Sequence, residues 1–380
     1  MAYIKGVLEG NGLTVNNYYI LFLNKDYVYK ESLDDNQLWI LTDHFIKDDK
    51  AMNNIKSYVE NICLDLDELL YRIDTSQFEL PVRTGKCTGR NRCPFYYDCF
   101  PMEKILDNNS ILTLVSSQYK YEMYEDGIRY LKDADLERVE GNKVQQAQIK
   151  ADYNGGLYID EKALRGWLGQ LEFPISFIDF EWDLFPIPPY QNMKVMDVLL
   201  FQYSLHIFDG KNLEHYEFIA EEDGRKQFAM SLLENIPDKG SVVAYNATGA
   251  EKLRIAELAQ YFPEYSEKLL KINERMIDIA VPFISGFVYD TRMRGSFTLN
   301  TIENMIDDRY SYDDLDVSDG MQAVEIYRKM SSCTDEPQKK IYRKQLLQYC
   351  GLDTYSLFKI YKWLNKILSD YKSRQNIGGI

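Results

Sequence analysis

Between Ile175 and Trp182 the chain reads Ile-Ser-Phe-Ile-Asp-Phe-Glu-Trp, an apolar strand pattern interrupted by two acids. A β-strand turns successive side chains to opposite faces, so Asp179 and Glu181 share one face with Ile175 and Phe177. Two like charges beside apolar neighbours are costly to bury unless something neutralises them, and a divalent cation does so naturally. The plain alternative is a strand end where both carboxylates reach water.

Further strand-like runs follow at 199–208, 215–220 and 241–245, and helical patterns come after them up to about Leu368. Strands in quick succession followed by helices predict an α/β fold with a mixed sheet flanked by helices. Two more acidic positions stand in this region. Asn246 leads from the strand at 241–245 into a helical pattern with Glu251 in its first turn, where the helix dipole favours a carboxylate whether or not it does chemistry. Capping by Asn246 or Thr248 explains the same residues without chemistry. Tyr349 and Asp353, four apart on a helix, share one face and can point a phenol and a carboxylate into one cleft.

Taken together, this order of motifs resembles the DnaQ-like 3′–5′ exonucleases of the DEDD type, tyrosine subclass. The match is closer to a bacterial family in which a RecB-like region with a cysteine cluster precedes a DnaQ-like domain. It rests on Phe-Ile-Asp-Phe-Glu at 177–181, Phe-Gln-Tyr-Ser-Leu-His at 201–206, Tyr-Asn at 245–246 with Glu251, Arg-Met-Ile-Asp at 275–278, Gly-Ser-Phe-Thr at 295–298 and Tyr-Cys-Gly-Leu-Asp-Thr at 349–354. The resemblance implies a ribonuclease-H-like fold with Asp179, Glu181, Glu251 and Asp353 as ligands of two Mg2+ or Mn2+ ions and Tyr349 orienting the attacking water. In that superfamily the ions lie about 3.5 to 4 Å apart and assist an in-line displacement at phosphorus. One departure stands out: the superfamily usually has Asp, preceded by an aromatic, where this chain has Ala250 and Glu251. The extra methylene shifts the carboxylate and with it metal preference or turnover.

A net charge of −15 excludes a protein that coats duplexes through a broad basic face. It does not exclude a nuclease, because bound cations reverse the local field. Substrate phosphates would be met locally, by Asn246, Lys252, Arg292 and Arg294, with Arg254 and Arg309 nearby in sequence, while Phe185, Tyr190 and Phe297 offer stacking faces for unpaired bases. Asp278 is a secondary acidic candidate. His44, His206 and His215 are read as structural.

Three regions are expected: residues 1–100, resembling a truncated RecB-like nuclease remnant, a helical linker region at 101–170, and a DnaQ-like exonuclease domain at 171–375. Cys87, Cys93 and Cys99 are spaced like the C-terminal iron-sulfur cysteines of RecB-like nucleases, and they hold an iron-sulfur cluster, a zinc ion or no metal. Cys63 is the nearest fourth ligand but falls in an apolar helical stretch. The catalytic acids of such a nuclease are missing from this region, so a partner chain supplying those elements is one expectation and a remnant packed on the exonuclease-like domain the other. Cys350 is read as packing behind the site. No secretory pattern or membrane span is visible, which predicts a cytoplasmic protein. The functional expectation is a metal-dependent 3′–5′ exonuclease acting on single-stranded DNA or RNA. Its rival is a catalytically weak or inactive nucleic-acid-binding accessory subunit.

Overall fold

The computed structural model describes residues 2–17, 19–42, 49–75, 87, 93–101, 106–139, 141–306, 316–317 and 319–377. His44 and Arg309 lie outside the described residues, as does the side chain of Cys63. The chain divides into two compact units, Met1–Cys99 with Leu184–Asp197, and Phe100–Asp183 with Val198–Ile380. Among the described residues, no helix is long and apolar enough to cross a membrane.

In the first unit, helix α1 (Ala2–Gly10) packs on the long helix α2 (Asp49–Thr75). Strands β1 (Ile20–Leu23) and β2 (Trp39–Thr42) pair antiparallel, with Ile20 opposite Thr42 and Leu23 opposite Trp39. Tyr27, Leu38 and Val195 form a small buried cluster. The 184–197 segment joins it through the Tyr29 amide, which donates to the Met193 carbonyl at 2.9 Å.

The second unit is built on a five-stranded sheet. Its strands are β4 (Ile175–Phe185), β5 (Asp197–Phe208), β6 (Leu213–Ile219), β7 (Val242–Ala244) and β8 (Met276–Asp278), in the order β6-β5-β4-β7-β8. β4, β7 and β8 run parallel, and β6 runs antiparallel to β5, so the sheet is mixed as the strand pattern predicts. A second small sheet pairs β3 (Leu157–Ile159) with β9 (Val288–Asp290) antiparallel. The helices of eight or more residues here are α3 (Lys143–Tyr153), α4 (Glu161–Leu168), α5 (Arg225–Asn235), α6 (Glu251–Tyr261), α7 (Ser266–Glu274), α8 (Leu299–Ile306), α9 (Gly320–Ser332) and α10 (Glu336–Ile377).

The two faces of β4 bury different partners, as period two requires. Ile175 and Phe177 join a core with Leu357, Ile360 and Leu364 of α10, whereas Ile178 and Phe180 join one with Phe228 of α5, Ile255 of α6 and Leu269 of α7. On α10 the buried positions Leu346, Cys350, Asp353, Leu357, Ile360 and Leu364 alternate in steps of four and three. That spacing keeps one stripe of a helix against the sheet, so the stripe that packs the core also carries Cys350 and Asp353 toward the acidic face of β4.

The 101–170 segment, read from the sequence as a helical linker region, falls within the second unit. Buried Gln148 donates to the Thr113 carbonyl at 3.0 Å and meets the Tyr289 hydroxyl at 2.8 Å. At Gly295 a β-carbon would fall 2.2 Å from the Thr113 oxygen, and φ there is +77°. Only glycine permits both the left-handed backbone and so close an approach. The segment's own core gathers Ile111, Leu112, Leu114, Met123 and Leu131.

Candidate metal centre

Sheet order fixes where a site can form. From β4 the chain moves outward through β5 and β6, then returns to lay β7 and β8 on the other side. At such a reversal the crevice outside the carboxyl ends of parallel strands is open to ligands. Phe177 pairs with Val243, so Asp179 and Glu181 lie two and four residues beyond that pair, toward the end of β7.

Three elements bring the acids together. β4 supplies Asp179 and Glu181, the start of α6 supplies Glu251, and α10 supplies Asp353 with Tyr349 and Cys350. Glu181, Glu251, Tyr349 and Asp353 are buried, Cys350 completely, and Asp179 is half-buried. The donor atoms of Asp179, Glu181 and Cys350 all lie within 4.8 Å of one another. Glu251 and Asp353 stand outside that tightest group but inside its field.

Electrostatics shows the convergence. Burial pushes the Asp179 carboxyl well above the carboxylate range, and the charge of Glu251 pushes it further. Glu181 is raised by burial and then by Asp179, Asp353 and Glu251. Burial, with Asp278 and Asp353, pushes Glu251 up to about 8. The Tyr349 phenol and the Cys350 thiol are raised by burial and then by Asp353, Glu181 and Asp179 acting on both. Each acid favours the protonated form of its neighbours because bringing like charges together in a poorly solvated place is costly.

One oxygen of the cluster lacks a partner. Glu251 Oε2 is buried with no hydrogen-bond partner among the described residues. Glu251 opens α6 behind Ala250, and no side chain caps the helix, so the reading of Asn246 or Thr248 as its cap is corrected. Asn246 is exposed, in the left-handed region at φ +54°, and its backbone N–H donates to Asp278 Oδ1 at 2.9 Å. The same oxygen accepts from the Ala280 amide at 2.9 Å, so Asp278 ties the ends of two strands together.

The expected phosphate binders fare differently. Arg292 spends all three guanidinium nitrogens on Asp290 and the Met305 carbonyl. Arg294 gives Nε to Asn108 at 2.7 Å. The two line a polar cavity of about 600 Å³ with Asn108, Thr301 and Asn304, and the acids are not among its lining residues. Lys252 is half-buried, its carbonyl accepting from Asn273. Arg254 is buried, paired with Glu257 at 3.0 Å and set over the Trp182 ring. Phe297 packs half-buried on the core, its ring 6.2 Å from that of Tyr289 at 76° to it. Phe185 and Tyr190 fall in the segment assigned to the first unit.

His206 and His215 are structural, as expected. Their rings stack at 4.1 Å, and Ser204 and Thr354 bind them by hydrogen bonds. Burial and the neighbouring His215 lower His206 to about 4. Cys87 and Cys93 are half-buried and Cys99 is exposed; the Cys93 amide donates to the Cys87 carbonyl at 3.2 Å. Among the described residues these three cysteines form no ligand group of the kind that Asp179, Glu181 and Cys350 form.

Sequence reasoning missed two participants. Cys350 is a neighbour of the acids rather than filler: its thiol donates to Asp179 Oδ2 at 3.4 Å. The other is Asp183, two residues beyond Glu181 on the same strand face; the spacing Asp-x-Glu-x-Asp was a signal that could have found it.

The fold and site define an α/β protein in which the central strand of the sheet and two helices gather carboxylates. Residues 176–298 match a family model described as a domain of unknown function, DUF2779. That span includes Asp179, Glu181 and Glu251 and ends before Tyr349 and Asp353. No curated protein and no solved structure matches the chain.

Proposed function

We propose that the protein is a metal-dependent 3′–5′ exonuclease that hydrolyses phosphodiester bonds of single-stranded nucleic acid, on a ribonuclease-H-like, DnaQ-like domain. The observation that carries this reading is the gathering of half-buried Asp179 with buried Glu181, Glu251 and Asp353, each raising its neighbours' affinity for protons, with a Glu251 oxygen left unpartnered. The carboxylates of Asp179, Glu181, Glu251 and Asp353 offer the oxygen donors that suit hard divalent cations such as Mg2+ or Mn2+, with Cys350 beside them as a hydrogen-bond donor to Asp179. Two such ions would supply activation of a water and stabilisation of the leaving oxygen in an in-line displacement.

The chain's own residues do the rest. β4 holds Asp179 and Glu181 at fixed spacing, and α10 fixes Asp353 relative to them through the shared core. Tyr349 stays a neutral phenol, since burial and three carboxylates oppose its ionisation. It can therefore donate a hydrogen bond to a water's lone pair, or accept one, without adding charge.

Degradation of end-labelled single-stranded DNA and RNA with Mg2+ or Mn2+ tests this, comparing wild type with Asp179→Ala and Asp353→Ala. Activity lost in both variants is the expected result, and equal activity in all three proteins ends the reading. A non-catalytic nucleic-acid-binding accessory subunit is the second reading. It is favoured by Glu251 and Asp353 standing outside the tightest donor group, and a wild type that binds strands without cutting them would establish it.

A further inference from the structure

Asp183 extends the acidic face of β4 by one more position, and the structure neutralises it differently. Its side chain is 1% exposed and accepts from Arg328 Nε at 2.7 Å and Nη2 at 2.6 Å. Resting on the nuclease reading above, we propose that Arg328 is a phosphate anchor, a guanidinium held beside the carboxylates to receive the backbone of a single-stranded substrate.

Position comes first. Two residues of extended strand span about 6.6 Å, so the paired cation is anchored one side-chain repeat beyond Glu181 on the same face. The helix that carries it is set against that face at more than one point. A β-carbon on Gly320, where α9 begins, would lie 3.9 Å from Glu181 Oε2, and Tyr327 stacks on Phe201 at 3.9 Å with the rings 6° from parallel.

Availability comes second. The pairing with Asp183 uses one edge of the guanidinium, whose five N–H donors form a rigid fork. Nη1 makes no hydrogen bond among the described residues, and the side chain is 59% exposed. A cation so exposed adds little to stability by itself. Its orientation is nevertheless fixed by a carboxylate that is almost wholly buried, an arrangement suited to presenting charge outward.

Need comes third. A chain of net charge −15 with four clustered acids repels a polyanion, so a substrate phosphate must find positive charge close by. Arg292 has each guanidinium nitrogen hydrogen-bonded and lines a cavity without the acids among its lining residues, and Arg254 is buried against Glu257 and Trp182. Arg328 is paired on one edge only.

The test is fluorescence anisotropy of end-labelled oligothymidylate and oligouridylate on the full chain, with Ca2+ replacing Mg2+ or Mn2+ to prevent cleavage, over a range of salt. The proteins compared are wild type, Arg328→Lys, Arg328→Gln, and the double variant Asp183→Asn with Arg328→Gln, which deletes the cation without stranding a buried carboxylate. Loss of one charge-assisted contact should weaken binding about tenfold in the Gln and double variants. The slope of log Kd against log salt should fall by about 0.7, the share of one phosphate on a single strand. Arg328→Lys should recover the slope and part of the affinity. A folded double variant, verified by its melting curve, that keeps wild-type affinity or wild-type slope overturns the proposal and leaves the nuclease reading standing. A wild type that binds neither strand overturns both.

Discussion

The Cys350 thiol stands 3.4 Å from Asp179 Oδ2 and donates to it from a completely buried position on α10. This contact couples the core stripe of the helix to the first acid of β4, and Asp179 is the residue whose placement the proposed chemistry can least spare. Cys350→Ala should therefore destabilise the fold by about 1 kcal/mol, because the half-buried Asp179 carboxyl loses a donor. It should also weaken divalent-cation binding about tenfold, as loss of a group that orients a ligand does. Cys350→Ser, which keeps a donor, should lie closer to wild type in both. Urea melts and calorimetric titration with Mn2+ measure the two effects, and an Ala variant as stable and as tight as wild type would refute the coupling.

Metal-free protein carries four acids that repel one another. Replacing any one of them by its amide, as in Asp179→Asn or Asp353→Asn, should stabilise the metal-free fold by about 1–2 kcal/mol while removing the extra stability that Mn2+ gives. Thermal melts with a chelator and with excess Mn2+ read both effects. Amide variants that melt lower than wild type in chelator would contradict the repulsion argument.

The pH dependence follows from Glu251, raised from 4.5 to about 8. A carboxyl whose folded pKa exceeds its unfolded one binds more protons when folded, so it favours the fold at low pH and loses that contribution as pH rises. Metal-free protein should thus lose stability between about 4.5 and about 8, and Glu251→Gln should flatten that fall. Melting temperature against pH in chelator checks it; a wild-type curve rising across this window would show Glu251 ionised in the fold.

Tyr349→Phe removes only the hydroxyl. If that group orients the attacking water, kcat should drop about a hundredfold with KM nearly unchanged, the cost of a misplaced reactant. Steady-state kinetics on a labelled strand separates the two, and a change confined to KM would move Tyr349 from chemistry to binding.

Much of the sheet was legible because period-two burial marks strands directly, as at Ile175, Phe177 and Asp179. The acids were legible for the same reason, together with the four-residue step from Tyr349 to Asp353 on a helix. Less visible was anything set by contacts distant in sequence. Arg328 reaches Asp183 across 145 residues, and the Cys350 thiol reaches Asp179 across 171. Local pairing was equally hidden: Asp290, two residues from Arg292, takes its guanidinium in a bidentate contact. The place of residues 101–170 in the second unit depends on Gly295 and Gln148, whose partners no spacing rule reveals.

The stripe on α10 has a temporal consequence. Leu357, Ile360 and Leu364 complete one of the sheet's two cores, and one turn earlier the same rod delivers Asp353. During synthesis, the carboxylates on β4 and α6 emerge well before this helix does. A nascent chain would thus hold an unfinished sheet and an incomplete acidic cluster together, and would gain the proposed nuclease activity only in the step that finishes its core.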